Sequence, residues 1–314
     1  MIAIIGAGFV GATTAYALML SGSAQEIVLI DINQKKAQGE AMDLLHGSPF
    51  VKPLRVFAGE MADCRQAKLI IFTAGAKQKP GQSRLDLLRQ NSEIVAETVA
   101  KITALQRNPL ILMVTNPVDV LSYVAWQASG LEASRIIGSG TVLDSARFRQ
   151  LIASHCGVAS RHVHGYIIGE HGDSEVALWS TVTIGGSRLQ AMCPRCGGNC
   201  RPGWKEEVEQ KVKRAAYDII ERKGATYYAV ALAVRAIVEA ITRDEKAVLT
   251  VSTLVQNQIP GLDKVYLSLP CIVGSKGVEK ILPLELDERE KEQLIHSGKI
   301  LKGQIEKTAP VLFT

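Results

Sequence analysis

His171 lies in GEHGDSE (169–175), a glycine-flanked turn directly after the apolar run Tyr166–Ile168. An imidazole ionises near neutral pH, and a buried carboxylate beside it would fix its tautomer and stabilise its charged form. A carboxylate and a guanidinium occur together in VLDSARFR (142–149), where Asp144 and Arg147 are three residues apart on a helical pattern and share a face. Taken alone, that spacing describes an ordinary intrahelical ion pair, and a lone histidine is more often structural than catalytic. Whether Asp144 meets His171 is a question for the fold.

A second set of residues points to an anion. IAIIGAGFVG (2–11) places Gly6, Gly8 and Gly11 between an apolar strand pattern and a helical one. Such glycines permit a tight turn, close approach of the backbone to a pyrophosphate and close helix–strand packing, with the helix N-terminus offering its amides. Asp31 ends the next strand pattern, EIVLID, 20 residues after Gly11. An acid there can bond a ribose diol and would repel a 2′-phosphate, which favours NAD over NADP. The competing reading, that Asp31 caps a strand, is outweighed by the joint pattern.

Two stretches carry less certain chemistry. AKQKPGQSR (76–84) holds three cations, two amides, a proline and a glycine after the apolar run KLIIFTAG, so it is either a solvated connector or a loop that closes over a ligand. CPRCGGNC (193–200) contains Cys193, Cys196 and Cys200. A CxxC can hold zinc, but a closed site needs four ligands and no fourth Cys or His lies nearby in sequence. It reads as a Gly/Pro-rich surface loop, with a labile metal or a disulfide as the alternatives. Cys64, Cys156 and Cys271 stand in apolar contexts and read as buried thiols.

The elements that must position these groups follow from periodicity. The first half alternates apolar strand patterns, unbroken by polar residues, with helical ones, which implies a parallel, doubly wound sheet buried on both faces. The second half has strand patterns at 162–169, 175–186, 246–255 and 264–274 and helical patterns at 205–224, 226–242 and 287–307, as in an α+β, mostly antiparallel unit. The expected division is a Rossmann-type NAD-binding domain over 1–143 and a substrate domain over 144–314. With 314 residues, 47% of them hydrophobic, the chain has ample core. Apolar runs are broken well before a membrane span's length and no secretory signal opens the chain, so the expected location is the cytoplasm. The 36 Lys and Arg against 31 Asp and Glu give a net +5, scattered through mixed-sign helices. That speaks against a nucleic-acid groove and suits small anionic ligands.

GAGFVG, Asp31, TAGAKQKPGQSR (73–84), TNPVD (115–119), GSGTVLDSARFR (138–149), GEHGDSE and KGATYY (223–228) occur in order and together resemble the lactate/malate dehydrogenase family, its bacterial L-lactate dehydrogenase branch in particular. The resemblance spans nearly the whole chain. It implies that His171 passes a proton to or from the substrate oxygen, that Asp144 raises its pKa, and that Arg147 grips the substrate carboxylate. It implies that Arg84, on a closing loop, polarises the carbonyl. Asn116 and Thr226 match substrate-binding residues, and Gly6, Gly8, Val10, Gly11, Asp31, Lys36, Gly75, Ala76, Thr115, Asn116 and Ser139 the binding of NAD, with no metal. Gln78 takes the position at which malate dehydrogenases carry an arginine for the second carboxylate. A neutral residue there implies pyruvate and L-lactate over oxaloacetate and malate, since a second carboxylate would enter a closed pocket without a counter-charge. Arg149 and His164 match a fructose 1,6-bisphosphate site, and a homotetramer is implied. The chain begins directly at its first strand, as bacterial members do. Gln82 departs from the family's usual acidic residue, which bears on loop closure. The alternatives are a malate dehydrogenase, opposed by Gln78, and a non-catalytic NAD-binding protein that keeps the fold.

Overall fold

The computed structural model describes residues 1–76, 81–193 and 200–308, the side chain of Arg84 aside. The first half runs β1 (Ile2–Ile5), α1 (Phe9–Ser21), β2 (Glu26–Ile30), α2 (Gln34–His46), β3 (Arg55–Ala58), β4 (Leu69–Phe72), α3 (Arg84–Leu105), β5 (Ile111–Met113), α4 (Val118–Ser129) and β6 (Ile136–Gly138). All six strands are parallel, in the order β3-β2-β1-β4-β5-β6. Strands β1, β4 and β5 are buried at every residue, which is why their sequences show no polar alternation. The alternation names no strand between Gly47 and Lys68, where β3 forms. Its burial runs from exposed Arg55 to buried Val56 at the sheet's edge, a pattern too short and too polar to stand out.

The second half continues with α5 (Val142–Cys156), the short strands β7 (Val163–His164), β8 (Ile167–Ile168), β9 (Val176–Ala177), β10 (Thr183–Ile184) and β11 (Ser187–Arg188), then α6 (Leu189–Met192), α7 (Trp204–Lys223), α8 (Tyr228–Thr242), β12 (Ala247–Ile259), β13 (Leu262–Gly274), β14 (Gly277–Ile281) and α9 (Glu288–Thr308). Every strand pairing made among these later elements is antiparallel. They do not all form a sheet of their own, however. β12, β13 and β14 extend the parallel sheet to nine strands, joined at Ser252 opposite Gly138. A Cβ on Gly138 would lie 2.6 Å from the Ser252 Cβ, so the seam closes only because glycine stands there. The division expected at residues 143 and 144 falls within the first turn of α5.

One large apolar cluster takes residues from both halves, among them Ile4, Phe72, Val120, Val238, Tyr266 and Leu294. A smaller one gathers Phe148, Ile152, Val163, Trp204 and Val208 around α5 and α7. The loops after β1, β4, β5 and β6 all leave the carboxyl ends of parallel strands, and the order reverses between β1 and β4. That crevice is where an open doubly wound sheet offers a ligand site.

Candidate active site

At the mouth of β1 the glycines do separate jobs. Gly6 has φ +99°, and a Cβ on it would meet the Ala74 backbone at 2.7 Å. A Cβ on Gly11 would lie 1.9 Å from the Gly6 carbonyl oxygen, so α1 packs onto the turn only with glycine there. Around Gly8 no atom of the described residues lies within 4 Å of such a Cβ. Among the described residues nothing demands a glycine at that point, whereas a phosphate brought against the backbone would. Gly8 is also the N-cap of α1 and supplies no side-chain cap, which leaves the first-turn amides, Val10 among them, facing the same space.

Asp31 turns toward this loop. Its Oδ2 accepts the Ala7 amide at 2.7 Å and its Oδ1 the Asn33 amide at 2.8 Å. Lys36 is exposed one turn beyond, its amide capped by Asn33. Thr115 donates to the Ala74 carbonyl at 2.7 Å, a Cβ on Gly75 would meet the Thr115 methyl, and the Ala76 amide reaches buried Asn91. Ser139 donates its amide to Met113 at 2.8 Å. These residues therefore line neighbouring strand ends, and the open cradle over Gly8 with an acid at the end of β2 fits a dinucleotide with a free ribose diol.

The acid–base group forms where the two halves meet. Thr141, at the N-cap of α5, and Ser145 both bond the Ile167 backbone, so the first turn of α5 is tied to β8. That tie carries Asp144 to His171, four residues beyond Ile167. The Asp144 Oδ2 lies 2.6 Å from the His171 Nδ1, and the Arg147 guanidinium donates to the Asp144 Oδ1 at 2.8 Å. Asp144 is 2% exposed and the His171 side chain 23%. With Nδ1 committed to a carboxylate, Nε2 is the nitrogen left to face a substrate. Burial by itself would depress the His171 pKa, but the Asp144 charge and hydrogen bond outweigh it, and the pKa stands at about 9. Burial would likewise raise Asp144, and His171 together with Arg147 holds it below its ordinary value. Arg147 spends one of five donors on Asp144, and among the described residues no other acceptor takes the rest of its fork.

Further residues of the site escape sequence reasoning. Asp119, buried on α4, accepts the His171 amide at 2.7 Å and the Ser252 hydroxyl at 2.6 Å. Burial pushes its carboxyl up to about 6 despite those two bonds. Ser297 of α9 accepts the Glu170 amide at 2.8 Å, and Ser268 of β13 pairs with Gly169, so the histidine's loop is pinned from three elements. Glu175 is 6% exposed with its Oε1 unpartnered among the described residues, and burial with the nearby Asp144 charge raises its pKa well above the ordinary range. Both acids lie inside motifs quoted above, TNPVD and GEHGDSE, but no local spacing marks them, because their partners come from distant strands and helices.

The other expected residues fall in different places. Asn116 is exposed beside Thr115 at the end of β5, and Thr226 lies between α7 and α8. Ser83 caps α3, so the segment after KLIIFTAG leads directly into a helix. Gln78, Cys196 and the Arg84 side chain lie outside the described residues. Arg149 sits on α5, its Nε donating to the Ser145 carbonyl at 3.2 Å, and His164 is exposed on β7, against which α5 packs.

Comparison with known proteins agrees with this architecture. The description "lactate/malate dehydrogenase, NAD binding domain" matches residues 1–138, and "lactate/malate dehydrogenase, alpha/beta C-terminal domain" matches residues 141–311. The L-lactate dehydrogenase of Thermoanaerobacter sp. (strain X514) is 53% identical over 305 residues, covering 97% of this chain and 98% of the relative. That of Acetivibrio thermocellus is 51% identical over 301 residues, covering 96% and 95%. Among solved structures, the lactate dehydrogenase MGS-M5 from a Medee basin deep-sea metagenome library superposes with a TM-score of 0.96 at 41% identity, covering 98% of both chains. The minor L-lactate dehydrogenase of Enterococcus mundtii, in a ligands-bound form, gives 0.94 at 43% identity, covering 97% of both. The chain belongs to the lactate/malate dehydrogenase family, as an NAD-dependent enzyme of its bacterial L-lactate dehydrogenase type.

Proposed function

We propose that the enzyme interconverts pyruvate and L-lactate with His171 as the proton donor and acceptor. The observation that carries this is the buried Asp144 bound to both His171 and Arg147. When bound, NADH supplies the hydride for the substrate's carbonyl carbon, and NAD takes it back in reverse. In reduction, the His171 Nε2 gives its proton to the carbonyl oxygen as that oxygen becomes a hydroxyl, and Asp144 stabilises the imidazolium before the transfer. Arg147 holds the substrate carboxylate with its remaining donors, which fixes which face of the carbonyl is presented. Arg84 and Gln78 act from the 76–84 segment, the first polarising the carbonyl and the second leaving the side-chain end of the pocket without a counter-charge. Residues 1–143 form the dinucleotide-binding domain and 144–314 the substrate and catalytic domain, with Gln78, Arg84 and Asn116 contributed to the substrate site by the first.

Absorbance of NADH followed with a panel of 2-oxo acids tests this. Pyruvate is expected to exceed oxaloacetate by orders of magnitude in kcat/KM, and Q78R to move the preference toward oxaloacetate. Comparable rates on the two acids in the wild-type enzyme would remove the assignment.

Fructose 1,6-bisphosphate activation is part of the same reading. Arg149 is about 200° around the helix from Arg147 and so faces another side. Burial lowers its pKa, and no carboxylate among the described residues pairs with it. A phosphate would supply that counter-charge, with His164 on the strand beneath. A homotetramer in the cytoplasm is the state we propose, in which such a site lies between subunits. The sugar bisphosphate should lower the pyruvate concentration at half-saturation, and R149Q should abolish the effect; an unchanged wild-type curve rules the site out.

A further inference from the structure

Glu175 takes no step in the chemistry above, although it stands at the entrance to β9, in the loop that carries His171. It is almost wholly buried, and its Oε1 is closed off from solvent with no donor among the described residues. The nearby cations are committed elsewhere. Arg147 and His171 both bond Asp144. Lys213 of α7 lines a cavity of about 660 Å³ with Glu175, but Glu170 and Asp173 of the histidine's loop and Glu292 and His296 of α9 line it too. Acids outnumber the lysine there, so the cavity supplies no net counter-charge. A carboxyl taken out of water without a donor or a counter-ion keeps its proton. Burial and the Asp144 charge act in that same direction and hold the Glu175 pKa well above the ordinary carboxylate range.

We propose that Glu175 is a positioning residue that acts through His171: a neutral carboxylic acid that adds no negative charge to the group of Asp144, Arg147 and His171. The inference rests on the reading of His171 as proton donor and Arg147 as the holder of the substrate carboxylate. With the imidazole protonated, two cations face one anion in that group, and a single positive charge is left over. One substrate carboxylate neutralises it. An ionised Glu175 would cancel that charge in advance, hold the proton more tightly on His171 and repel the carboxylate from Arg147. A neutral acid does none of these. Its proton stays on Glu175 through the reaction, and no bond to the substrate forms.

The test uses the full chain and its E175Q variant. At pH 8 Asp119, with a pKa of about 6, is ionised. Infrared spectroscopy at that pH should still show the C=O stretch of a protonated carboxylic acid, shifted in D₂O and absent from E175Q. Stability reads the same proton with its sign. The unfolded glutamate ionises near pH ~4.3 and the folded one well above it, so wild type loses stability as pH rises between the two values. E175Q lacks that loss, and its Tm relative to wild type should rise between pH 5 and pH 8. A flat or falling difference overturns the proposal. In kinetics, the limb by which kcat/KM for pyruvate falls at high pH should keep its position in E175Q. A limb moved to lower pH would show that Glu175 carries a charge in the wild-type enzyme, which also overturns it. Should E175Q fail to fold, the wild-type spectrum decides: no carboxylic acid band at pH 8 removes the inference. The band and the Tm are read without substrate, so their failure is distinct from failure of the pyruvate assignment, which the panel of 2-oxo acids decides.

Discussion

Asp144 faces two cations, and the division of its oxygens between them sets the site's pH behaviour. One oxygen bonds the His171 Nδ1 and the other the Arg147 guanidinium. Burial alone would leave the imidazole neutral at neutral pH; against that, the Asp144 charge carries its pKa to about 9. Reduction consumes the imidazolium, so kcat/KM for pyruvate should be flat below pH 8 and fall as pH rises through about 9. Oxidation of lactate needs the neutral ring and should rise through the same value. In D144N the raising charge is gone while burial remains, so both limbs should move toward lower pH. Pyruvate reduction at pH 8 should then drop by roughly tenfold or more. A pH–rate profile of wild type and D144N, measured in both directions, checks this. An unmoved limb would mean that the observed ionisation belongs to some group other than His171.

At the scale of elements, the site depends on a histidine loop held by α4, β13 and α9, and Asp119 is where that hold and the chemistry coincide. Its side chain ties α4 to β12 through Ser252 and to the loop through the His171 amide. D119A would leave a buried amide without an acceptor, a loss of about 1–3 kcal/mol. In D119N the amide oxygen keeps one of the two bonds and the Ser252 hydroxyl can turn to accept the other. Urea denaturation should therefore place D119A well below wild type and D119N close to it, with kcat reduced in both and KM for NADH little changed. Equal stability losses in the two would show that the carboxylate's charge, and not its hydrogen bonds, holds the loop. This also marks how far the sequence carries the site. Gly6, Gly11, Asp31 and the pair Asp144 and Arg147 are legible because each belongs to one turn or one helix face. Asp119, Glu175, Ser252 and Ser297 are not, because each acquires its role from a partner on a distant element. The same limit hid β3, whose four residues have one fully buried side chain, and the joining of β12 to β6, which depends on the lack of a side chain at Gly138.

Across the whole molecule, α5 is the member on which the separate parts depend. Its first turn holds Asp144 and packs Val142 into the large cluster; its later turns put Phe148 and Ile152 into the small one; His155 closes its far end. β8 divides in the same way, with Ile168 in the large cluster and Ile167 in the small. The nine-stranded sheet likewise runs through both halves without a break. Neither half can open without exposing apolar surface that the other covers, so a stable intermediate with one half folded has no source of stabilisation. The three tryptophans allow this to be examined, since Trp126 packs on the large cluster while Trp179 and Trp204 belong to the small. Tryptophan fluorescence of W126F, which reports the small cluster, should lose its native signal at the same urea concentration as the far-ultraviolet circular dichroism of the whole chain. An earlier fluorescence transition would show that the α5–α7 unit melts on its own, and that the coupling through α5 and β8 is too weak to make the two clusters one cooperative body.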